Sequence, residues 1–122
     1  MKISPSELES NLTQFTGTTK YYRLLPSFVV TDGVKYLMDH ADCYWLAELY
    51  GLHLANMDFN HQPFTVLNLV RKGEGAMITI EDGNGGVLSQ QAVDWTDFPL
   101  ASVTLYASWS GDYWVGMLPS EY

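Results

Sequence analysis

The sequence has 122 residues, 47% of them hydrophobic, and 6 Lys and Arg residues against 14 Asp and Glu, for a formal net charge of −8 at pH 7. This length and composition predict one globular domain over residues 1–122 and exclude disordered, collagen-like and coiled-coil chains. The acidic balance disfavours direct binding to nucleic acid or to an anionic membrane, because both need an excess of basic residues.

The amino-terminal sequence predicts a helix that begins with a well-formed cap. Ser4 can accept a hydrogen bond as the N-cap, Pro5 suits the first helical position, and Glu7 completes a capping box. We therefore expect a helix over about residues 5–14.

Residues 21–30 are aromatic and β-branched with a proline inside, which predicts an edge strand or an extended segment.

A longer helical region follows the turn at Thr31. Its apolar residues recur at three- and four-residue spacing, with a break at Asp42, which predicts two helices or one kinked helix over about residues 32–57. These apolar residues are Val34, Leu37, Met38, Ala41, Trp45, Leu46, Leu49, Leu52 and Met57.

The second half of the chain is rich in β-forming residues separated by glycine-containing turns. Residues 82–86, with the sequence DGNGG, favour a hairpin because these residues tolerate positive φ at little cost. The predicted strands cover residues 64–70, 76–80, 87–95, 103–109 and 113–117. Helices followed by hairpin-linked strands predict an α+β fold, with the helices packed on one face of a four- to five-stranded antiparallel meander.

Cysteine content and the amino terminus predict the compartment. Cys43 is the only cysteine, so no intrachain disulfide can form and a reducing interior suits the chain. Residues 1–7 carry one lysine and then acid, without the apolar run of a signal peptide. The longest uncharged apolar stretch, residues 24–30, is too short to cross a bilayer. We therefore expect a cytoplasmic protein.

Three phrases give the sequence a family resemblance: TDGVKYL at residues 31–37, TDFPL at 96–100 and LPSEY at 118–122. The chain resembles, from about residue 15 to residue 122, an uncharacterised domain-of-unknown-function family of small bacterial, phage and mobile-element proteins. The resemblance implies an origin in phages, plasmids or integrated elements, hence the cytoplasm of a bacterial host. It implies no activity, substrate or catalytic residue.

Aromatic residues concentrate at the end of the sequence, around a predicted hairpin. On a half-buried strand alternate residues face outward, so we expect Trp109 or Trp114 to face solvent. Exposed Trp and Tyr on an acidic surface are typical of a protein-binding patch, although the same face could instead complete a homodimer or a covered core. The predicted partner-binding residues are Trp109, Asp112, Tyr113, Trp114, Glu121 and Tyr122.

A second hypothesis is a small-molecule site for a phosphorylated nucleotide signal. Lys20, Tyr22 and Arg23 place cations beside aromatic rings, which suits stacking and phosphate contacts. Lys35 follows a helix start at Thr31 whose free N–H groups favour an anion. The alternative is that the two basic residues pair with surface carboxylates while the tyrosines pack on the sheet.

An enzyme is the third hypothesis. Cys43 and His40, three residues apart, could form a nucleophile and base, and Asp32 or Asp97 could supply a catalytic carboxylate. A lone cysteine beside aromatic residues is more often a buried small hydrophobe. The histidines fit no metal-ligand spacing, so we expect no metal and no cofactor.

The preferred interpretation is a small, acidic, non-enzymatic binding protein of phage or mobile-element origin. Its expected partner is a host protein with a basic surface, such as a nucleic-acid-binding defence effector of the CRISPR type. An acidic domain is drawn toward a basic nucleic-acid site and can occupy it.

Overall fold

The computed structural model of the protein describes residues 4–122 and has an α+β architecture. The expectation about a signal peptide rests partly on residues 1–3, which lie outside the described residues. The helices are α1 (Pro5–Leu12), α2 (Asp32–Ala41) and α3 (Tyr44–Ala55), with a 3₁₀ turn at Pro119–Glu121. The strands are β1 (Tyr22–Leu25), β2 (Phe28–Val30), β3 (Phe64–Lys72), β4 (Gly75–Glu81), β5 (Val87–Val93), β6 (Ser102–Trp109) and β7 (Trp114–Met117).

Helices α1 and α2 begin where the sequence predicts, and α1 and α3 each end about two residues before the predicted ends. Ser4 caps α1 by accepting the Glu7 N–H at 3.3 Å, and Thr31 caps α2. Asp42, with φ of 56°, adopts the left-handed conformation that ends α2 and separates it from α3. Of the two predicted alternatives, two helices or one kinked helix, the structure has two helices with the break at Asp42.

One seven-stranded sheet contains all the strands, in the order β1-β2-β7-β6-β3-β4-β5. The prediction of four to five strands in an antiparallel meander was wrong in two respects. Residues 21–30 form a hairpin of two strands, turning at Pro26 and Ser27, where one edge strand or extended segment was predicted. In addition β7 lies between β6 and β2 and pairs with β2 in parallel, with Val29 opposite Val115.

Helices α2 and α3 connect the parallel strands β2 and β3 and pack on one face of the sheet. Side chains alternate along each strand, so Leu67, Leu69 and Leu105 are buried against this helical layer. The side chains between them, such as Val66 and Tyr106, are only half-buried on the opposite face, which we call the outer face. Among the helices of residues 4–122, none has the length and apolar character needed to span a bilayer.

Candidate functional site

A groove lies between α3 and strands β4 and β5, which are at one end of the sheet. Its volume is about 580 Å³. The register places Ile78 opposite Gln91 and Ile80 opposite Ser89, so these four side chains share the face that looks toward α3. The lining residues are Trp45, Glu48, Leu49, Leu52 and His53 of α3, with Ile78, Ile80, Ser89 and Gln91 of the strands. We call this surface the α3–β5 groove.

The groove is apolar because α3 is apolar around its whole circumference. One side of the helix is buried in the core, with Leu46, Tyr50 and Leu54 at 1% exposure or less. The other side still carries Leu52, which is 59% exposed. A helix that is apolar all round is normally buried, so the open side of α3 is an uncovered apolar surface.

A second cavity of about 270 Å³ continues the groove past Trp45, which lines both. It adds Trp95, whose side chain is 66% exposed and is therefore available to a partner. Carboxylates surround this apolar surface at Asp42, Glu48 and Asp97, and neither Lys nor Arg is among the lining residues that residues 4–122 contribute to either cavity. The combined surface is thus apolar and aromatic at its centre and acidic around it.

His53 is one of the polar residues that line the α3–β5 groove. Its Nε2 atom is buried and has no hydrogen-bond partner within the described residues. Burial lowers the pKa of His53 below its ordinary value, which favours the neutral ring. A neutral imidazole offers one donor and one acceptor, and Nε2 leaves one of these unused among the described residues.

Two of the four residues predicted for nucleotide binding lie together. The Nζ atom of Lys35 is 5.6 Å from the ring centre of Tyr22 and 5.7 Å from that of Tyr44. Lys35 also forms an ion pair with Asp39 at 2.7 Å, and this hydrogen bond raises the pKa of Lys35. The lysine that was expected to hold a phosphate is therefore already neutralised by a carboxylate one turn later in α2.

The start of α2, where a bound anion was expected, holds a carboxylate of the protein itself. Glu121 accepts hydrogen bonds from the Gly33 N–H at 3.1 Å, the Thr31 hydroxyl at 2.6 Å and the Leu118 N–H at 3.0 Å. The expectation of free N–H groups was wrong here because the chain folds back from β7 and supplies the anion. Glu121 was predicted to bind a partner, and the structure places its carboxylate inside the fold.

The other two predicted nucleotide-binding residues lie elsewhere. Arg23 follows Tyr22 in β1 and therefore points to the opposite face, where its guanidinium is 5.8 Å from the Tyr113 ring centre and donates to the Pro26 carbonyl. Lys20 is exposed before β1 begins. The structure does not gather the four residues into one pocket, and nucleotide binding stays a prediction.

The aromatic residues near the end of the sequence divide between the two faces of the sheet. Trp114 is 2% exposed, so the expectation that it could face solvent was wrong; its side chain faces the helical layer. Trp109 is half-buried, with Phe59 stacked on it at 4.0 Å and Trp114 in edge contact at 5.6 Å. The loop after α3 supplies Phe59, which sequence analysis did not place near these tryptophans.

The remaining predicted partner-binding residues occupy other places. Tyr122 is 76% exposed and lies 5.2 Å from Phe64 and 5.5 Å from Tyr106, ring centre to ring centre. Tyr113 is half-buried and Asp112 is exposed in the preceding turn. The six predicted residues therefore form no single patch.

The proposed Cys–His pair lacks the geometry of an activated nucleophile. Cys43 is 1% exposed, burial raises the pKa of its thiol to about 12, and its Sγ donates to the Leu37 carbonyl at 3.8 Å. The Nδ1 atom of His40 has no hydrogen-bond partner among the described residues, and its ring packs against Tyr36 at 4.1 Å. Such a thiol is almost entirely protonated at neutral pH.

The carboxylates proposed for catalysis are not in one place either. Asp32 accepts hydrogen bonds from the Thr19 backbone and hydroxyl and from Tyr22, and the Thr19 backbone contact is the main reason that the pKa of Asp32 is lowered. Asp97 lies beside Trp95 at the end of the groove. Within residues 4–122, no three His, Cys, Asp or Glu side chains converge as metal ligands.

The sequence model of a family of unknown function, DUF6876, matches residues 6–122. The chain belongs to this family. No curated protein and no solved structure matches it. Membership in DUF6876 agrees with the resemblance to an uncharacterised family and adds no activity, so the function of this DUF6876 chain has to be argued from its surface.

Sequence analysis missed the α3–β5 groove, although one signal for it was present. Residues 44–55 are apolar at every turn, and Glu48 is the only carboxylate in α3. A helix of this composition needs cover on all sides. The single sheet of a small domain covers only one of them.

Proposed function

We propose that the protein is a non-enzymatic binding protein that engages a basic host protein through the α3–β5 groove. The observation that carries the proposal is the exposed apolar and aromatic surface with a carboxylate rim and, among the lining residues that the structure describes, no Lys or Arg. Interface centres are typically aromatic and apolar, and their rims are polar. Trp95, at 66% exposure, is the natural anchor because tryptophan is enriched among residues that dominate binding energy.

Charge supports a basic partner. The protein carries a formal net charge of −8, and Asp42, Glu48 and Asp97 surround the apolar centre. A surface of one sign accelerates the approach of a surface of opposite sign. Burial of the apolar centre then contributes the larger share of the affinity.

The finer form of the proposal concerns origin and target. The protein is encoded by a phage or a similar mobile element, acts in the bacterial cytoplasm and inhibits a nucleic-acid-binding defence effector, in the manner of an anti-CRISPR protein. Nucleic-acid sites are basic and rich in Arg and Lys, so an acidic domain seated on such a site would exclude the nucleic acid. The low number of basic residues in this chain supports a role as competitor rather than as ligand of nucleic acid.

The test is a competition assay with a purified CRISPR effector complex and its labelled target nucleic acid. Wild-type protein should displace the nucleic acid, and Trp95→Ala should weaken that displacement at least about 30-fold, the effect of losing an aromatic hot spot. Tyr122→Ala is the matched control, because Tyr122 is also an exposed aromatic residue, at 76% against 66% for Trp95, but lies in the aromatic cluster with Phe64 and Tyr106. Both exposed substitutions should leave stability within about 0.5 kcal/mol of wild type.

Salt provides the second measurement. Raising ionic strength from about 0.05 M to about 0.3 M shortens the screening length and should weaken binding severalfold. Asp42→Asn and Glu48→Gln should reduce this salt dependence. An effector that wild-type protein does not displace, or an affinity that neither salt nor Trp95→Ala changes, would refute the proposal.

A further inference from the structure

Strand β5 is an edge of the sheet, and the irregularity that could protect it lies at its Val87 end, where its pairing with β4 shifts register between Ile80 and Glu81. The strand pairs with β4 on one side, and the row of backbone groups on its other side has no strand of the described residues beside it. Its sequence, VLSQQAV, contains no charged residue and no proline, and five of its seven residues are exposed. Natural edge strands are normally kept from pairing by charge, proline, bulges or short length.

Strand β1, at the opposite edge of the sheet, carries several of these protective features. Strand β1 has only four residues, and one of them is Arg23. Its pairing with β2 shifts register between Arg23 and Leu25, and Pro26 follows directly. Both edges thus carry a register shift, but β1 adds short length, a charge and a proline, whereas residues 89–93 of β5 pair regularly with β4. This difference indicates that residues 89–93 are available for pairing.

We infer that β5 pairs antiparallel with β5 of a second copy of this chain, with the two-fold axis at Gln90. The strand is self-complementary about that residue. Gln90 lies opposite Gln90 of the partner subunit, and Ser89 lies opposite the partner subunit's Gln91. Leu88, which the register shift leaves without a partner in β4, comes opposite the partner subunit's Ala92 at the end of the regular run. Every pair joins two uncharged side chains, so no like charges face each other along the strand. A two-fold contact uses the same surface on both copies and therefore closes at a dimer.

The pairing also joins the two grooves. A two-fold axis between antiparallel strands of one sheet is perpendicular to that sheet, so both helical layers lie on the same side. The inward-facing Ser89 and Gln91 of each copy would then form the centre of one trough between the two α3 helices. This inference stands independently of the proposed function, because the pairing needs only the backbone of β5.

A cysteine scan tests the register directly. Cys43 is buried, so Gln90→Cys introduces a single exposed thiol. Directly opposed residues of an antiparallel pair have Cα atoms about 4.5–5.5 Å apart, within the range of a disulfide. Ala92→Cys is the control on the same strand: the two copies of that residue would lie about 14 Å apart, four residues along the strand.

The expected result is rapid formation of a covalent dimer by Gln90→Cys under mild oxidation and none by Ala92→Cys. Equal cross-linking of the two variants would overturn the inference, since it would indicate random collision or another register. Sedimentation of unmodified wild type should show a dimer that higher salt strengthens, because each copy carries a charge of −8. A monomer at the highest soluble concentration, or an open-ended polymer, would also overturn it.

A charge at the axis gives the complementary variant. Gln90→Lys places two lysines opposite each other and should yield a monomer, whereas Gln14→Lys makes the same charge change at an exposed position near α1 and should remain dimeric. A dimer that survives Gln90→Lys would place the interface elsewhere. Two results separate this inference from the proposed function. Trp95→Ala should bind the effector more weakly and should still form the dimer. Higher salt should strengthen the dimer and should weaken effector binding.

Discussion

The carboxylate of Glu121 joins the end of the described chain to the start of α2, and its removal should cost much of the stability of the domain. Glu121→Ala deletes the acceptor for the Thr31 hydroxyl and for the N–H groups of Gly33 and Leu118. Thr31 and Leu118 are each 3% exposed, so water reaches their orphaned donors poorly. An unsatisfied buried donor costs about 1–3 kcal/mol, and the negative charge at the helix start adds up to about 1 kcal/mol.

These contributions give an expected loss of roughly 3 kcal/mol in the free energy of unfolding, or about 10 °C in Tm for a domain of this size. Urea unfolding followed by far-UV circular dichroism measures the first quantity, and thermal unfolding measures the second. Glu9→Ala, which removes an exposed carboxylate from α1, should change stability by less than about 0.5 kcal/mol. If Glu121→Ala were as stable as Glu9→Ala, the structural role assigned to this carboxylate would be wrong.

A substitution at Gly33 perturbs the same contact from the side of α2. A Cβ atom at this position would lie 2.5 Å from Glu121 Oε1 and 2.6 Å from Leu118 Cδ1, so the carboxylate would have to move. Gly33→Ala should therefore destabilise the protein, and the loss should be smaller in the Glu121→Ala background by about 1 kcal/mol. Strict additivity in this double-mutant cycle would show that the two residues do not share one interaction.

Three further predictions concern the core and the groove. Gly75→Ala should unfold the domain or destabilise it by more than about 2 kcal/mol in urea titration, because a Cβ atom there would overlap the Val93 carbonyl oxygen. Tyr50→Phe should cost about 1–2 kcal/mol by breaking the buried 2.7 Å hydrogen bond to Thr65, and adding Thr65→Val should recover part of that loss. Burial lowers the pKa of His53, so the imidazole of the unfolded chain is protonated more readily than that of the folded protein. The contribution of His53 to the free energy of unfolding should therefore be complete above about pH 6.5 and should fall at lower pH. His53→Gln should reduce the loss of stability that is measured between about pH 7.5 and about pH 5.5.

Local patterns account for the part of the fold that could be predicted. The break at Asp42 and the turns between β3, β4 and β5 follow from spacing and from glycine and aspartate chemistry, and the predicted strands match within a few residues. Pro26 was interpreted as a residue inside one edge strand, whereas it forms the turn of a two-residue hairpin between Leu25 and Phe28. The parallel pairing of β2 with β7 joins segments far apart in sequence, and no local pattern encodes which strand becomes the neighbour of which.

The candidate site depends on the same non-local information. Composition indicated an acidic protein with more aromatic residues than a small core encloses. Which of them are exposed depends on strand order: Trp114 is covered because β7 is internal, while Trp95 is exposed after the edge strand β5. The sequence therefore indicated the acidic and aromatic chemistry of the surface, while the positions of the exposed aromatic side chains depend on strand order.

The position of β7 also has a consequence for biosynthesis. This strand follows all the others in the chain yet separates β2 from β6, so the hairpin of β1 and β2 has no sheet to join until Trp114–Met117 has left the ribosome. Strands β3, β4, β5 and β6 can pair earlier, because each of them finds its partner among residues that precede β7. A nascent chain would thus leave the apolar Phe28–Val30 strand without its β7 partner throughout most of its synthesis.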